Sequence, residues 1–203
     1  MSKKRYPARM PRYAAGIRAQ EPRSGSGRSW WARRWVERLE SMGLGARLGR
    51  GKNYAASGQV VSLFFEGPHV SAEVVGGRPE PYSVSIDFRA PEGEARERIV
   101  ERLRSEPMLV ARLLVDDMPT EVEQAFRDEG FDLFPGGRLP DQPGDAPGVR
   151  RYDMTTRCTC PDYANPCKHT SAVLLILGEE VARRPAMLVE LRGIGMEELC
   201  GEE

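Results

Sequence analysis

Hydrophobic and polar residues alternate along the chain with two different periods, one typical of strands and one typical of helices. In residues 82–88, aromatic or branched residues occupy every second position, and Ser or Asp occupy the positions between. This is the pattern of a strand with one buried face, and we predict a strand over residues 82–89. Residues 69–75 repeat the alternation, and residues 59–66 form another apolar run. Because only short links rich in Gly and Pro separate these runs, we predict an antiparallel meander of three strands.

Other apolar positions are spaced as on helices. Trp31, Trp35, Leu39 and Met42 share one helical face, which predicts a helix over residues 30–42. Further helices are predicted over residues 47–57, 92–105, 108–115 and 120–129, from residue 170 to 183 or 184, and in a short segment ending near residue 193. We expect the helices between residues 92 and 129 to cover one face of the sheet. The expected fold class is therefore α+β.

A cluster of cysteine and histidine in residues 158–169 is the strongest chemical signal. Cys158, Cys160, Cys167 and His169 form a C-x-C pair and a C-x-H pair separated by six residues, in a chain with 4 Cys and 2 His. Thiolate sulfur and imidazole nitrogen are the ligands that a tetrahedral structural zinc prefers. Alternation along a strand would bring both sulfurs of C-x-C to one face, and the Pro- and Asn-containing link is typical of a turn. We predict a strand, a ligand turn and a helix around one structural Zn²⁺.

Chance clustering of buried thiols and a redox dithiol are the rival interpretations of these cysteines. C-x-C is not the C-x-x-C of thioredoxin-like sites, and a C-x-H pair favours a metal. Three thiolates around Zn²⁺ leave a net negative charge, which we expect the flanking Arg157 and Lys168 to offset. Cys200 lies far beyond the cluster and is expected to be a spare thiol.

The C-x-C and C-x-H pairs resemble the signature of the SWIM-type zinc finger, named for chromatin-remodelling ATPases and Mutator-type transposases. Residues 157–169 are similar to the version in stand-alone bacterial SWIM proteins, often encoded beside a Swi/Snf-type helicase-like ATPase. The similarity extends to residues 30–31, to residues 50–54 with Gly58, and to residues 191–193. It implies zinc binding, a ββα-like finger, contacts with nucleic acid or protein, and a Swi/Snf-type ATPase as partner. It does not imply catalysis.

Composition divides the chain into five segments. They are a basic arm at residues 1–28, an α+β domain with the meander at 29–134, a Pro/Gly-rich loop at 135–148, the zinc-finger unit at 149–193 and an acidic tail at 194–203. The loop holds four Pro and four Gly, a composition typical of a hinge.

The formal net charge of zero hides a strong asymmetry along the chain. Residues 1–57 hold 14 Lys+Arg and 3 Asp+Glu, whereas the remainder holds 16 and 27. Such a basic segment is typical of proteins that contact a polyanion. The candidate nucleic-acid contacts are Lys3, Lys4, Arg5, Arg9, Arg12, Arg18, Arg50 and Lys52. Two interpretations stay open: these cations neutralise phosphates of DNA or RNA, or the arm folds onto the acidic remainder or a partner protein.

Other features narrow the class of protein. The sequence has no apolar run of about 18 residues and no apolar leader, so we expect no membrane span and a cytoplasmic location. Metal-ligand thiols suit that reducing compartment. No nucleophile and base are placed together, so we expect a zinc-binding accessory protein and not an enzyme. The alternatives are a purely protein-binding adaptor and, third, an enzyme with an atypical zinc or thiol site.

Overall fold

The computed structural model describes residues 16–19, 29–137, 139, 152–162 and 164–201. Its elements are α1 (Trp30–Ser41), α2 (Ala46–Ala56), β1 (Val60–Glu66), β2 (His69–Val74), β3 (Tyr82–Phe88), α3 (Gly93–Arg104), α4 (Pro107–Leu114), α5 (Thr120–Asp128), β4 (Met154–Cys158), α6 (Lys168–Arg183), α7 (Met187–Glu190) and α8 (Met196–Cys200). Helices combined with an antiparallel sheet confirm the α+β class. Within the described residues, no helix is both long and apolar enough to cross a bilayer.

One antiparallel sheet contains the four strands in the order β1-β2-β3-β4. The first three strands are the predicted meander. β4 pairs with β3 along its whole length, from Val84 opposite Cys158 to Phe88 opposite Met154. In the described part of the zinc-finger segment, β4 is the one strand. The second strand of the ββα-like arrangement is therefore supplied by β3 of the meander.

Helix α6 covers the inward face of the sheet and contacts all four strands. Its residues are buried on nearly every side, including the consecutive run from His169 to Leu174. A helix of this kind needs cover on both sides, and α1 and α2 provide it. The Trp35 indole N–H of α1 donates to Leu174 O at 3.0 Å. Gly51 of α2 lies so close to Ser171 that an added Cβ would be 2.6 Å from the serine Cβ.

Helices α3, α4 and α5 form a second group beside this core. We expected them to cover the sheet, but the extensive helix–sheet contacts belong to α6, while α3 packs against α4, α5 and α8. The reason is that α6 is buried on nearly every side, whereas α3 carries a narrow stripe of three buried residues. The acidic segment after residue 193 contains α8, which packs its buried Leu199 inward and pairs Glu198 with Arg96 at 2.6 Å.

A buried ion pair joins the start of β4 to the segment after α7. Arg192 is 1% exposed and Asp153 is 6% exposed, and Nη2 lies 2.5 Å from Oδ2. Arg192 also donates to Arg89 O at 2.7 Å and to Leu133 O at 3.2 Å. The other carboxylate oxygen accepts the Gly136 N–H at 2.8 Å. Buried charges are tolerated when they are paired and hydrogen-bonded in this way, so the pair fixes four chain segments together.

Candidate metal centre

The four predicted ligands meet where β4 leads into α6. Cys158 ends β4, Cys160 follows two residues later, Cys167 is the N-cap of α6, and His169 lies in the first turn. Their ligand atoms all lie within 4.8 Å of one another. His169 Nδ1 is 3.8 Å from the Sγ of Cys158 and also 3.8 Å from the Sγ of Cys167. Zinc–ligand bonds of about 2.3 Å and 2.0 Å in a tetrahedron separate sulfur from nitrogen by about 3.5 Å. The cluster therefore fits one tetrahedral ion.

Local sequence explains how the ligand loop returns to its starting strand. In β4, Met154 and Thr156 are buried while Thr155 is exposed, so the same alternation turns Cys158 inward. Asn165 then ties the loop to the strand, because its Nδ2 donates to Thr156 O at 2.7 Å and its Oδ1 accepts the Thr156 hydroxyl. These bonds bring Cys167 back beside Cys158.

The electrostatics of the cluster favour one anionic sulfur among the three cysteines. Hydrogen bonds from the Cys158 thiol, His169 and Thr170 lower the pKa of Cys167 to about 2 despite burial. The same contact with Cys167, together with burial, raises the pKa of Cys158, and burial raises the pKa of Cys160. Cys167 also lies at the positive end of the α6 dipole. A divalent cation bound here would replace the remaining thiol protons.

Arg157 and Lys168, which we expected to offset the negative charge of the zinc site, lie on different faces of the sheet. Lys168 lies on the ligand side, with its Nζ 5.4 Å from the centre of the Tyr54 ring. Arg157 is exposed and pairs in register with Ser85. Because side chains alternate along β4, Arg157 lies on the opposite face of the sheet from Cys158. The expectation for Arg157 is therefore wrong.

The candidate nucleic-acid contacts are only partly visible. Lys3, Lys4, Arg5, Arg9 and Arg12 lie outside the described residues. Arg18, Arg50 and Lys52 are exposed, and α2 contains Arg50 and Lys52. The Ala19 N–H donates to Ala55 O at 3.0 Å, which places Arg18 beside the end of the same helix. The structure thus brings the three described candidates to α2.

Comparison with known protein families identifies a match around the four ligands. Residues 149–178 match the family model of the SWIM zinc finger. Over these residues the chain is similar to the SWIM zinc finger, and we call them the SWIM finger below. The family match and the cluster of four ligand atoms both indicate zinc, so the predicted single structural zinc is confirmed. Four protein ligands fill the tetrahedral shell of a structural zinc site.

The similarity extends well beyond the SWIM finger. An uncharacterized protein of Mycobacterium tuberculosis, Rv2102, is 36% identical over 194 residues, which is 95% of this chain. The chain spans 65% of the length of that relative. No solved structure matches the chain significantly.

Sequence reasoning missed the side chains that surround His169. Tyr54, Tyr82 and Gly76 contact its imidazole. They lie between 87 and 115 positions before His169 in the chain. Residues 50–54 belonged to the resemblance, but no local spacing connects a tyrosine of α2 or β3 with the ligand motif.

Proposed function

We propose that the protein is a non-catalytic zinc-binding accessory protein that contacts nucleic acid through a basic surface beside the SWIM finger. The supporting observation is that cations from separate segments lie beside α2 and the zinc site. This basic surface consists of Arg18, Arg47, Arg50, Arg78 and Lys168. Its proposed partner is a Swi/Snf-type helicase-like ATPase, on the basis of the family resemblance, and its proposed location is the cytoplasm.

Helix α2 supplies the centre of the basic surface. Its sequence contains Arg47, Arg50 and Lys52 and no acidic residue. At 3.6 residues per turn, Arg47, Arg50 and Tyr54 share one flank, whereas Lys52 points to the other flank. Lys52 indeed lies 3.5 Å from Glu40 of α1. We therefore assign Arg50 to the basic surface and give Lys52 a role in contacts between helices.

The finger-facing flank carries cations on both sides of the zinc site. Tyr54 contacts the imidazole of His169 and lies under Lys168. On the other side, Tyr82 stacks on the same imidazole and lies under Arg78 at 5.3 Å. Because the two tyrosine rings are used against His169, we expect phosphate contacts and little base stacking. Such contacts position a nucleic acid without reading its sequence.

A salt series with labelled DNA and RNA, single-stranded and duplex, tests the proposal. Each phosphate contact contributes about 0.9 to the slope of log affinity against log salt on duplex DNA. The double variant Arg18→Gln/Arg50→Gln should therefore reduce this slope by about 2. The matched control Arg102→Gln/Arg127→Gln removes two exposed arginines from α3 and α5. Zinc content is measured for every variant.

Two results would contradict nucleic-acid binding through this basic surface. The first is no binding by the zinc-loaded wild type near physiological salt, and the second is an equal slope change in both double variants. The first result would favour the second candidate function, a protein-binding adaptor, whereas the second would show that Arg18 and Arg50 do not form the binding surface.

The adaptor has its own support in α4 and the residue that follows it. Met108 is 71%, Leu114 58% and Val115 73% exposed, which places three apolar side chains in solvent. Exposed apolar side chains that lie together mark interaction surfaces. Co-elution of the purified protein with a Swi/Snf-type ATPase, lost in Met108→Lys/Leu114→Lys, would support this function. Co-elution unchanged by the substitutions would remove this surface from the argument.

A further inference from the structure

The imidazole of His169 lies between two tyrosine rings from outside the SWIM finger. Tyr82 of β3 stacks on it, with ring centroids 4.5 Å apart and an interplanar angle of 27°. Tyr54 of α2 meets it edge to face at 5.1 Å and 72°. Aromatic pairs at such separations favour defined relative orientations of the rings. The two tyrosines therefore restrict the imidazole plane from two directions.

The backbone between β2 and β3 closes a third side. A Cβ added to Gly76 would lie 2.5 Å from Cε2 of Tyr82 and 3.3 Å from Nε2 of His169. Gly76 is not among the glycines with positive φ. A glycine is needed at this position because the rings approach the backbone closely, and not because of backbone conformation.

The two nitrogens of the imidazole have different surroundings. Nδ1 faces the sulfurs of Cys158 and Cys167 at 3.8 Å. Nε2 is buried, and no hydrogen-bond partner is found for it in the described part of the chain. Metal-binding histidines usually donate their other ring N–H to an oxygen that fixes the ring orientation. For His169, packing has to supply the orientation that this bond supplies elsewhere.

We propose that Tyr54, Gly76 and Tyr82 are positioning residues of the zinc centre, which hold His169 with Nδ1 toward the metal. We name these three residues the histidine clamp. All of them lie before residue 149, where the match to the SWIM finger begins. The SWIM finger supplies the four ligands, while α2, β3 and the link between β2 and β3 supply the orientation of one of them.

The first test asks which imidazole nitrogen binds the metal. Long-range proton–nitrogen NMR on the zinc-loaded full chain, with ¹⁵N-labelled histidine, distinguishes a metal-bound from a protonated ring nitrogen. We expect zinc on Nδ1 and a proton on Nε2 of His169. His69 is exposed, and its Nδ1 lies 2.6 Å from Asp87 Oδ1, so it serves as the internal reference. Zinc bound through Nε2 would overturn the proposal.

The second test measures zinc affinity by competition with a chromophoric chelator. Tyr82→Leu removes the stacked ring, and Gly76→Ala pushes that ring toward the imidazole. Loss of groups that orient metal ligands weakens metal binding about 10- to 100-fold, and we expect this range for both variants. Tyr82→Phe keeps the ring, and Gly49→Ala adds a methyl group that meets nothing within 4 Å. Both control variants should bind zinc with wild-type affinity.

Thermal unfolding of the metal-free variants separates positioning from general stability. A purely structural role would lower the melting temperature of metal-free Tyr82→Leu and leave its zinc affinity unchanged. That result, or equal affinity losses in Tyr82→Leu and Tyr82→Phe, would overturn the proposal. If Gly76→Ala does not fold, the pair of Tyr82 variants still decides, because the two differ only in the presence of the ring.

Discussion

Replacing Arg192 by Met removes a buried guanidinium but keeps an apolar side chain of similar length. The Asp153 carboxylate would remain buried, with the Gly136 N–H at 2.8 Å as its described hydrogen-bond donor. Removing one partner of a buried ion pair costs about 3–5 kcal/mol. The carbonyl groups of Leu133 and Arg89 each lose a donor as well, at about 1 kcal/mol per bond. We expect a loss of about 5–7 kcal/mol, a large share of the 5–15 kcal/mol typical of a domain.

Urea denaturation of the zinc-loaded protein, followed by far-ultraviolet circular dichroism, measures this loss. The control is Arg102→Met, which breaks a surface pair with Glu106 at 2.9 Å. Surface pairs contribute at most about 1 kcal/mol, so the control should stay close to wild type. The double variant Asp153→Asn/Arg192→Met has no unpaired charge, and we expect it to regain a large part of the lost stability.

Each comparison can refute one part of this reasoning. If Arg192→Met loses no more stability than Arg102→Met, burial does not make the pair important. If the double variant is no more stable than Arg192→Met, the loss comes from the carbonyl groups and packing. The unpaired carboxylate would then not be its cause.

Three further predictions concern the zinc centre and its supporting helix. Cys167→Ala should abolish zinc binding and reduce the helix content measured by circular dichroism. Replacing the exposed Cys200 by Ala should change neither quantity. Full zinc occupancy in Cys167→Ala would contradict the ligand assignment. Chelator should lower the melting temperature of the wild type, because free zinc at 100 times its Kd adds about 2.7 kcal/mol of stability. An unchanged melting temperature after chelation would show that zinc binding does not stabilise the fold. Gly178→Ala should lower the free energy of unfolding by about 1–3 kcal/mol, because the added Cβ would lie 2.4 Å from the Trp35 ring. The control Gly49→Ala adds a Cβ that meets no atom within 4 Å and should not destabilise the protein. Equal urea midpoints for the two variants would contradict this packing.

The elements that could be predicted are those whose signal is local. Alternation predicted a strand over residues 82–89, which is β3 to within one residue, because each side chain of a strand reports its own face. The helical stripe from Trp31 to Met42 predicted α1 to within one residue for the same reason. The four zinc ligands also lie within twelve positions, so their spacing alone indicated the metal.

Contacts between distant segments could not be predicted in this way. Phe88 and Met154 pair across more than 60 residues, and nothing in either strand specifies the other as its neighbour. Arg192 belonged to the family resemblance, but its partner Asp153 is one acidic residue among 30 in the chain. The histidine clamp also depends on contacts between distant segments, since packing of α2 against α6 brings Tyr54 to His169.

The pairing of β4 with β3 has a consequence for folding during synthesis. The chain emerges from its amino terminus, so α2 and the meander, with every residue of the histidine clamp, precede the zinc ligands. Pairing of strands that are distant in the chain is slow, because the entropy of loop closure is lost before the stabilising contacts form. Completion of the zinc site therefore waits for the last ligand, His169, and for α6, which packs against both α2 and the sheet. Arg192 emerges later still, and its bond to Asp153 joins the final segment to the finished sheet.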